Sequence, residues 1–225
     1  MGDFHRTYID DRSFIRGAAR LLIAPPSTAR PTKIADVINL VAVTGPPAVA
    51  VYDAKYTDAT NGWVDLGATK TGCQITINNA EETFDVDQIL GDIMSQPTSW
   101  ECSVGTQLAE MTPERLQIAW EGSAITNDAT ADEDEIGFGQ PASYTERRLA
   151  VMFQRPPVGA TPGLIRAYLF HRVQRMPQES SVTHAKTGEQ ISIPVRFRVL
   201  ADSSISDVRK RFFIIRDQAV APNGA

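Results

Sequence analysis

From Ile191 to Val199 every second residue is apolar: Ile191, Ile193, Val195, Phe197 and Val199 alternate with Ser192, Pro194, Arg196 and Arg198. Side chains on an extended chain point alternately to opposite faces. A strict period of two therefore commits this segment to a strand with one buried and one wet face. The pattern recurs upstream. Trp100, Cys102, Val104, Thr106 and Leu108 fall on one side, with Ser99, Glu101, Ser103, Gly105 and Gln107 on the other. Shorter alternations occupy Gln74 to Ile77 and Thr83 to Asp87. Further strands are expected over Gly17–Ala24, Arg147–Gln154, Leu164–Val173, Gln190–Leu200 and Lys210–Arg216. Pro194 has no N–H to give a ladder, which puts its strand at an edge or beside a bulge.

One helix is signalled, over about 112–121. Thr112 can cap it, Pro113 suits the first helical position, and Glu114 complements the N-terminal dipole. Leu116, Ala119 and Trp120 share one helical face, and Gly122 can end the element. The expected class is mainly β, a sandwich or barrel-like domain with one flanking α-helix. Its 225 residues, 42% of them hydrophobic, suit one domain with long arms. Residues 1–15 read as an N-terminal arm, 25–62 as a long Pro-broken loop, and 217–225 as a mobile tail. That loop is unusually apolar at Val37, Ile38, Leu40, Val41, Val43, Val49 and Val51. An apolar loop of this length needs a surface to cover it, so these residues are candidates for contact with a neighbouring subunit.

Charge is unevenly placed. Residues 1–52 hold six Lys/Arg and four Asp/Glu (+2), residues 53–135 hold three and seventeen (−14), and residues 136–225 hold thirteen and six (+7). Either acidic and basic strands lie side by side within one molecule, or an acidic face of one copy meets a basic face of the next. The run Asp132-Glu133-Asp134-Glu135 reads as a solvated loop. The longest uncharged segment, Val37 to Tyr52, is too short and too Pro-rich for a membrane helix. Residues 1–16 lack the apolar stretch of a secretory signal, so synthesis in the cytoplasm is expected.

Patterns that carry chemistry are sparse. Cys73 and Cys102 have 28 residues between them and form no CxxC pair, which suits buried thiols. His5, His171 and His184 have no second ligand at metal spacing. Gly137-Phe138-Gly139-Gln140-Pro141-Ala142 fits GxGxxA in letters only, since it follows an acidic run and contains a proline. Arg209-Lys210-Arg211 beside Phe212-Phe213 reads as a charged guard on an edge strand. No catalytic residue, metal ligand or cofactor site is expected.

Four segments, in order, carry a family resemblance. They are Leu21-Leu22-Ile23-Ala24-Pro25 with Ser27-Thr28 and Pro31-Thr32; Gly62-Trp63-Val64-Asp65-Leu66-Gly67-Ala68-Thr69 with Gly72; Asp85-Val86-Asp87-Gln88 to Gly91-Asp92; and Thr106 to Glu114. Together they resemble the tail tube proteins (major tail proteins) of long-tailed bacteriophages, over roughly residues 17–122. The sequence departs from that pattern in having Ser27-Thr28 where Gly-Thr is expected and in the apolar stretch 33–60. The C-terminal strands match only in pattern.

The resemblance implies a sandwich with a flanking helix, six copies to a ring, and inner sheets joined into one continuous barrel. Rings would stack around a tape-measure protein, meet terminator and tip proteins at their ends, and later conduct DNA without binding it specifically. Assembly would occur in the host cytoplasm and the product would lie in the virion tail. Glu81, Glu82, Asp85, Asp87 and Asp92 are the candidates for an acidic channel lining that repels phosphate. Two other classes stay open: an inner-tube protein of a contractile injection machine, and a small β-fold enzyme or carbohydrate-binding module.

Overall fold

The computed structural model describes residues 19–41, 51–53, 62–86, 89–110, 112–128, 133–139, 143–154, 165–176 and 192–217. The strands are β1 (Ala19–Ala24), β2 (Asn39–Val41), β3 (Val51–Asp53), β4 (Val64–Asp65), β5 (Thr69–Val86), β6 (Ile89–Leu108), β7 (Thr126–Asp128), β8 (Glu133–Glu135), β9 (Glu146–Gln154), β10 (Ile165–Arg175), β11 (Ile193–Leu200) and β12 (Phe213–Asp217). The helix, α1, spans Pro113–Trp120. Among the described residues the chain is mainly β with one α-helix. The N-terminal arm expected at 1–15 and the tail beyond Asp217 lie outside the described residues.

One antiparallel sheet has the order β4-β1-β9-β10-β11-β6-β5, with β12 also on β10. This sheet is rolled. Laid flat, its outer strands β4 and β5 would stand about 29 Å apart at the usual ~4.8 Å spacing. Yet only Leu66, Gly67 and Ala68 separate them in sequence, a stretch that spans at most about 14 Å between Asp65 and Thr69. The two edges must therefore approach each other. The linker is fastened on both sides: Leu66 N–H donates to Leu21 O at 2.9 Å, and Ala109 N–H donates to Ala68 O at 2.8 Å. No ladder closes the roll into a barrel among the described residues.

Rolling produces two cores. Inside lie Leu21, Ile23, Leu149, Val151, Cys102, Val104, Leu108 and the buried row of β11, with Leu66 and, from α1, Ile118 and Ala119. Outside β1, β9 and β10 lie Leu22, Ala24, Ala150, Met152, Ile165, Ala167 and Leu169, covered by Ile34, Val37, Ile38 and Trp63. Strands buried on both faces read as continuous apolar runs, which is why Leu21-Leu22-Ile23-Ala24 and Leu149-Ala150-Val151-Met152 show no alternation. β10 changes sides part-way. Leu169 faces the outer core, whereas Val173, of the same parity, faces the inner one. The cause is a bulge: Phe170 pairs with Leu149 but Val173 with Arg147, so β10 carries one extra residue there.

Several expectations need adjustment. Val37 and Ile38 are 0% and 1% exposed and belong to the outer core, not to a surface offered to a neighbour. A single 3₁₀ turn, Ile34–Asp36, held by Asp36 Oδ2 accepting from Thr32 N–H at 2.8 Å, turns them onto the sheet beside Trp63. The 123–144 segment is not all loop, because β7 and β8 pair within it. Its acidic residues Glu133, Asp134 and Glu135 are nevertheless exposed, as charge repulsion requires. The left-handed residue that ends α1 is Glu121 (φ 53°, ψ 46°), one position before Gly122. Thr112 holds the N-cap position without a side-chain cap bond. β11 is interior by order, but its pairing with β10 stops at Phe197↔Arg175. Pro194 thus faces only β6 in the described ladder, opposite Gln107, and its missing N–H costs that ladder nothing.

Candidate functional site

β5 and β6 form a hairpin with strands of 18 and 20 residues, against a usual strand of about 5–6. Its base belongs to the sheet: Cys102 to Leu108 pair with Val199 to Ile193 of β11, and Cys102, Val104 and Leu108 are buried. Beyond Trp100, which still packs against the core, the hairpin leaves its own sheet. Asn78, Asn79, Ala80, Glu81, Glu82 and Thr83 are all exposed, and so are Ser95, Gln96, Pro97, Thr98 and Ser99 opposite them. An unbroken exposed run on consecutive strand residues means that both faces are uncovered. β5 has β6 as its one ladder partner, and β6 has only β5 above Cys102. Both outer edges of the distal hairpin are therefore open as well among the described residues.

Three register shifts, between Thr69 and Cys73, Ala80 and Glu81, and Phe84 and Val86, place irregularities at the root, middle and far end of the hairpin. Ser95 Oγ donates to Glu81 Oε2 at 2.8 Å, and Thr98 Oγ1 donates to Ala80 O at 3.2 Å beside the second irregularity. At the root, Thr106 Oγ1 donates to Gly72 O at 2.7 Å. Ser103, on the wet side of β6, is covered by Arg196, whose Nε and Nη2 lie 3.2 and 3.0 Å from its hydroxyl.

The expected channel-lining acids divide here. Glu81 and Glu82 are exposed on the hairpin, but as neighbours on one strand they point to opposite faces, so they cannot both line one surface. Asp85 and Asp92 lie on β5 and β6, and Asp87 lies outside the described residues. Among the expected inter-subunit residues, Leu40, Val41 and Val51 belong to the small β2–β3 ladder. Val43 and Val49 lie outside the described residues.

Groups that could do chemistry are differently placed. The thiols of Cys73 and Cys102 are pushed up by burial, to about 12 and about 11, which leaves them un-ionised and poor nucleophiles. His171 sits in the β10 bulge, 2% exposed. Burial pulls its pKa down, the Arg30 and Arg148 charges pull it further, and the Lys210 main chain and Asp202 oppose them. Beside it is a cleft of about 320 Å³ lined by Glu146, Arg147, Arg148, Arg172 and Asp202. Two of its arginines are committed: Arg172 grips both oxygens of Glu146 at 3.0 and 2.6 Å, and Arg148 donates to three main-chain carbonyls; Arg147 stands 3.8 Å from Glu121. No group of three metal-ligating side chains occurs among the described residues.

The chain is similar to a prophage baseplate chain. A chain of the anti-feeding prophage baseplate, solved with 6-fold symmetry, superposes with a TM-score of 0.41 at 8% identity, over 92% of this chain and 97% of that one. A likeness at that level carries no argument about function. No protein-family model and no curated protein matches the sequence.

Proposed function

We propose that this chain is a self-assembling structural subunit of a phage-type tail tube, joined to copies of itself through the β5–β6 hairpin. The observation that carries the reading is the distal hairpin, open on both faces and both edges. An isolated two-stranded hairpin is marginal in water, and an open edge is a template for another strand. Joining β5 of one copy to a strand of the next removes the edges and covers a face at once. The family resemblance across residues 17–122 supports the tube as the product. Six copies to a ring, stacked rings, a tape-measure protein within and terminator and tip proteins at the ends follow from that resemblance.

The work is mechanical and involves no catalytic step. From Thr71 to Glu114 the sequence has no Lys or Arg, so whichever hairpin face lines a channel presents acids only. Such a lining repels DNA phosphates and lets the duplex slide. The test is negative-stain imaging and sedimentation of the full chain across concentration, beside a variant in which residues 78–101 are replaced by Asn-Gly. Rings or tubes from the full chain and a folded monomer from the variant are expected. A full chain that stays monomeric at every concentration overturns the reading.

A further inference from the structure

Where the hairpin leaves the sheet, a gap opens beside it. β11 flanks β6 only as far as Cys102↔Val199. Further along β10 the neighbour is β12, paired from Phe170↔Phe213 to Arg166↔Asp217, and β12 has no second ladder partner among the described residues. Between β12 and the hairpin lies a groove of about 1020 Å³. Its aromatic floor is tightly packed: the Trp100 ring centroid is 4.0 Å from that of Phe212 and 6.2 Å from that of Phe213. Val208 and Ile215, also on the groove, are 64% and 51% exposed.

The charged lining has one sign. Arg30, Arg209, Lys210 and Arg216 line the groove, and no carboxylate among the described residues does. Two of these cations are paired with acids outside the lining, Arg30 with Asp202 at 3.6 Å and Lys210 with Asp207 at 3.1 Å. Beyond Lys70 at its root the hairpin has only the opposite sign, with Glu81, Glu82 and Glu101 exposed.

We propose that the groove receives the β5–β6 hairpin of a second copy of the chain. The proposal rests on the self-assembly reading and names the receiving surface. Charge and backbone agree on the occupant: an acidic extended segment meets a cationic rim, and its open edge can add to the open edge of β12. The chain's own hairpin is excluded, since Pro97 and Trp100 of that hairpin form the groove wall. A contact in which a protrusion on one copy fills a recess on the next is heterologous, and repeated it closes a ring or extends a filament.

Charge exchange tests this. The double variants R209E/K210E and E81K/E82K, and the quadruple variant combining them, are compared with the wild type by sedimentation. All four positions are exposed, and thermal melting of dilute protein checks that each variant folds. Each double variant is expected to raise the concentration at which assembly begins by about tenfold or more, since like charges across an interface are strongly unfavourable. The quadruple variant should recover assembly. If the wild type assembles and R209E/K210E assembles equally well, the groove is not the receptor although the self-assembly reading stands. Two impaired double variants without recovery in the quadruple variant also overturn the pairing. A wild type that never assembles overturns both.

Discussion

Arg148 Nη1 donates to the main-chain oxygen of His171 at 2.7 Å, at the point where β10 carries its extra residue. The same guanidinium donates through Nε to Thr28 O at 2.6 Å and through Nη2 to Pro26 O at 3.3 Å. One planar group thus fastens the turn after β1 to the bulge that sends Val173 into the inner core.

Replacing Arg148 with Met should therefore lower folding stability by about 2–3 kcal/mol, because two partly buried carbonyls and one exposed carbonyl lose a charged donor. Arg148→Lys should recover less than half of the loss, since an ammonium cannot reproduce a three-way planar fork. Urea denaturation of the two variants reads this directly. Equal stability of wild type and Lys variant would contradict the fork.

His171 makes stability depend on pH in a defined window. Its folded-state pKa lies below the ordinary 6.5, chiefly through burial, then through Arg30 and Arg148, against the Lys210 main chain and Asp202. The unfolded chain therefore binds the proton first. The contribution is complete above pH 6.5 and is lost as pH falls from there towards the lowered value. His171→Gln should flatten the stability profile between about pH 7 and 5. A profile that keeps its slope in the variant assigns the effect elsewhere.

Gly67 should resist substitution more than Gly72. Both have positive φ, 81° and 73°, so alanine strains either backbone. A Cβ at Gly67 would also strike the Glu110 carboxylate, whereas one at Gly72 meets nothing within 4 Å. That carboxylate accepts Ala68 N–H at 3.0 Å in the linker that rolls the sheet. Gly67→Ala is expected to cost more than about 1 kcal/mol and Gly72→Ala about 1 kcal/mol or less. Paired thermal melts would reveal the opposite order if the linker were loose.

Ile38 distinguishes core from interface. It is 1% exposed against Trp63 and its neighbours, so Ile38→Ala should destabilise the isolated chain by about 2–5 kcal/mol. A variant that melts like wild type but fails to assemble would return Ile38 to the subunit interface.

Much of the fold was legible because strands and helices are read from near neighbours. Alternation at Trp100–Leu108 and Ile193–Val199 marked β6 and β11, and Thr112-Pro113-Glu114 marked the start of α1. The acids of residues 53–135 and the cations of residues 136–225 announced that opposite charges had to meet somewhere.

Local pattern reports that a face is buried, but not against what. Val37 and Ile38 have the composition of an interface, and only the turn at Ile34–Asp36 directs them into their own core. The period of β10 breaks silently at His171, because a bulge shows itself in the partner strand's register. The groove joins Arg30, Trp100 and Arg209, far apart along the chain, and exists because β12 takes over the edge of β10 where β11 ends. Backbone period and side-chain polarity therefore determined the elements and their wet and dry sides. The rolling of the sheet, set by long-range pairing that no short window contains, decided which surfaces are closed within the chain and which stay open.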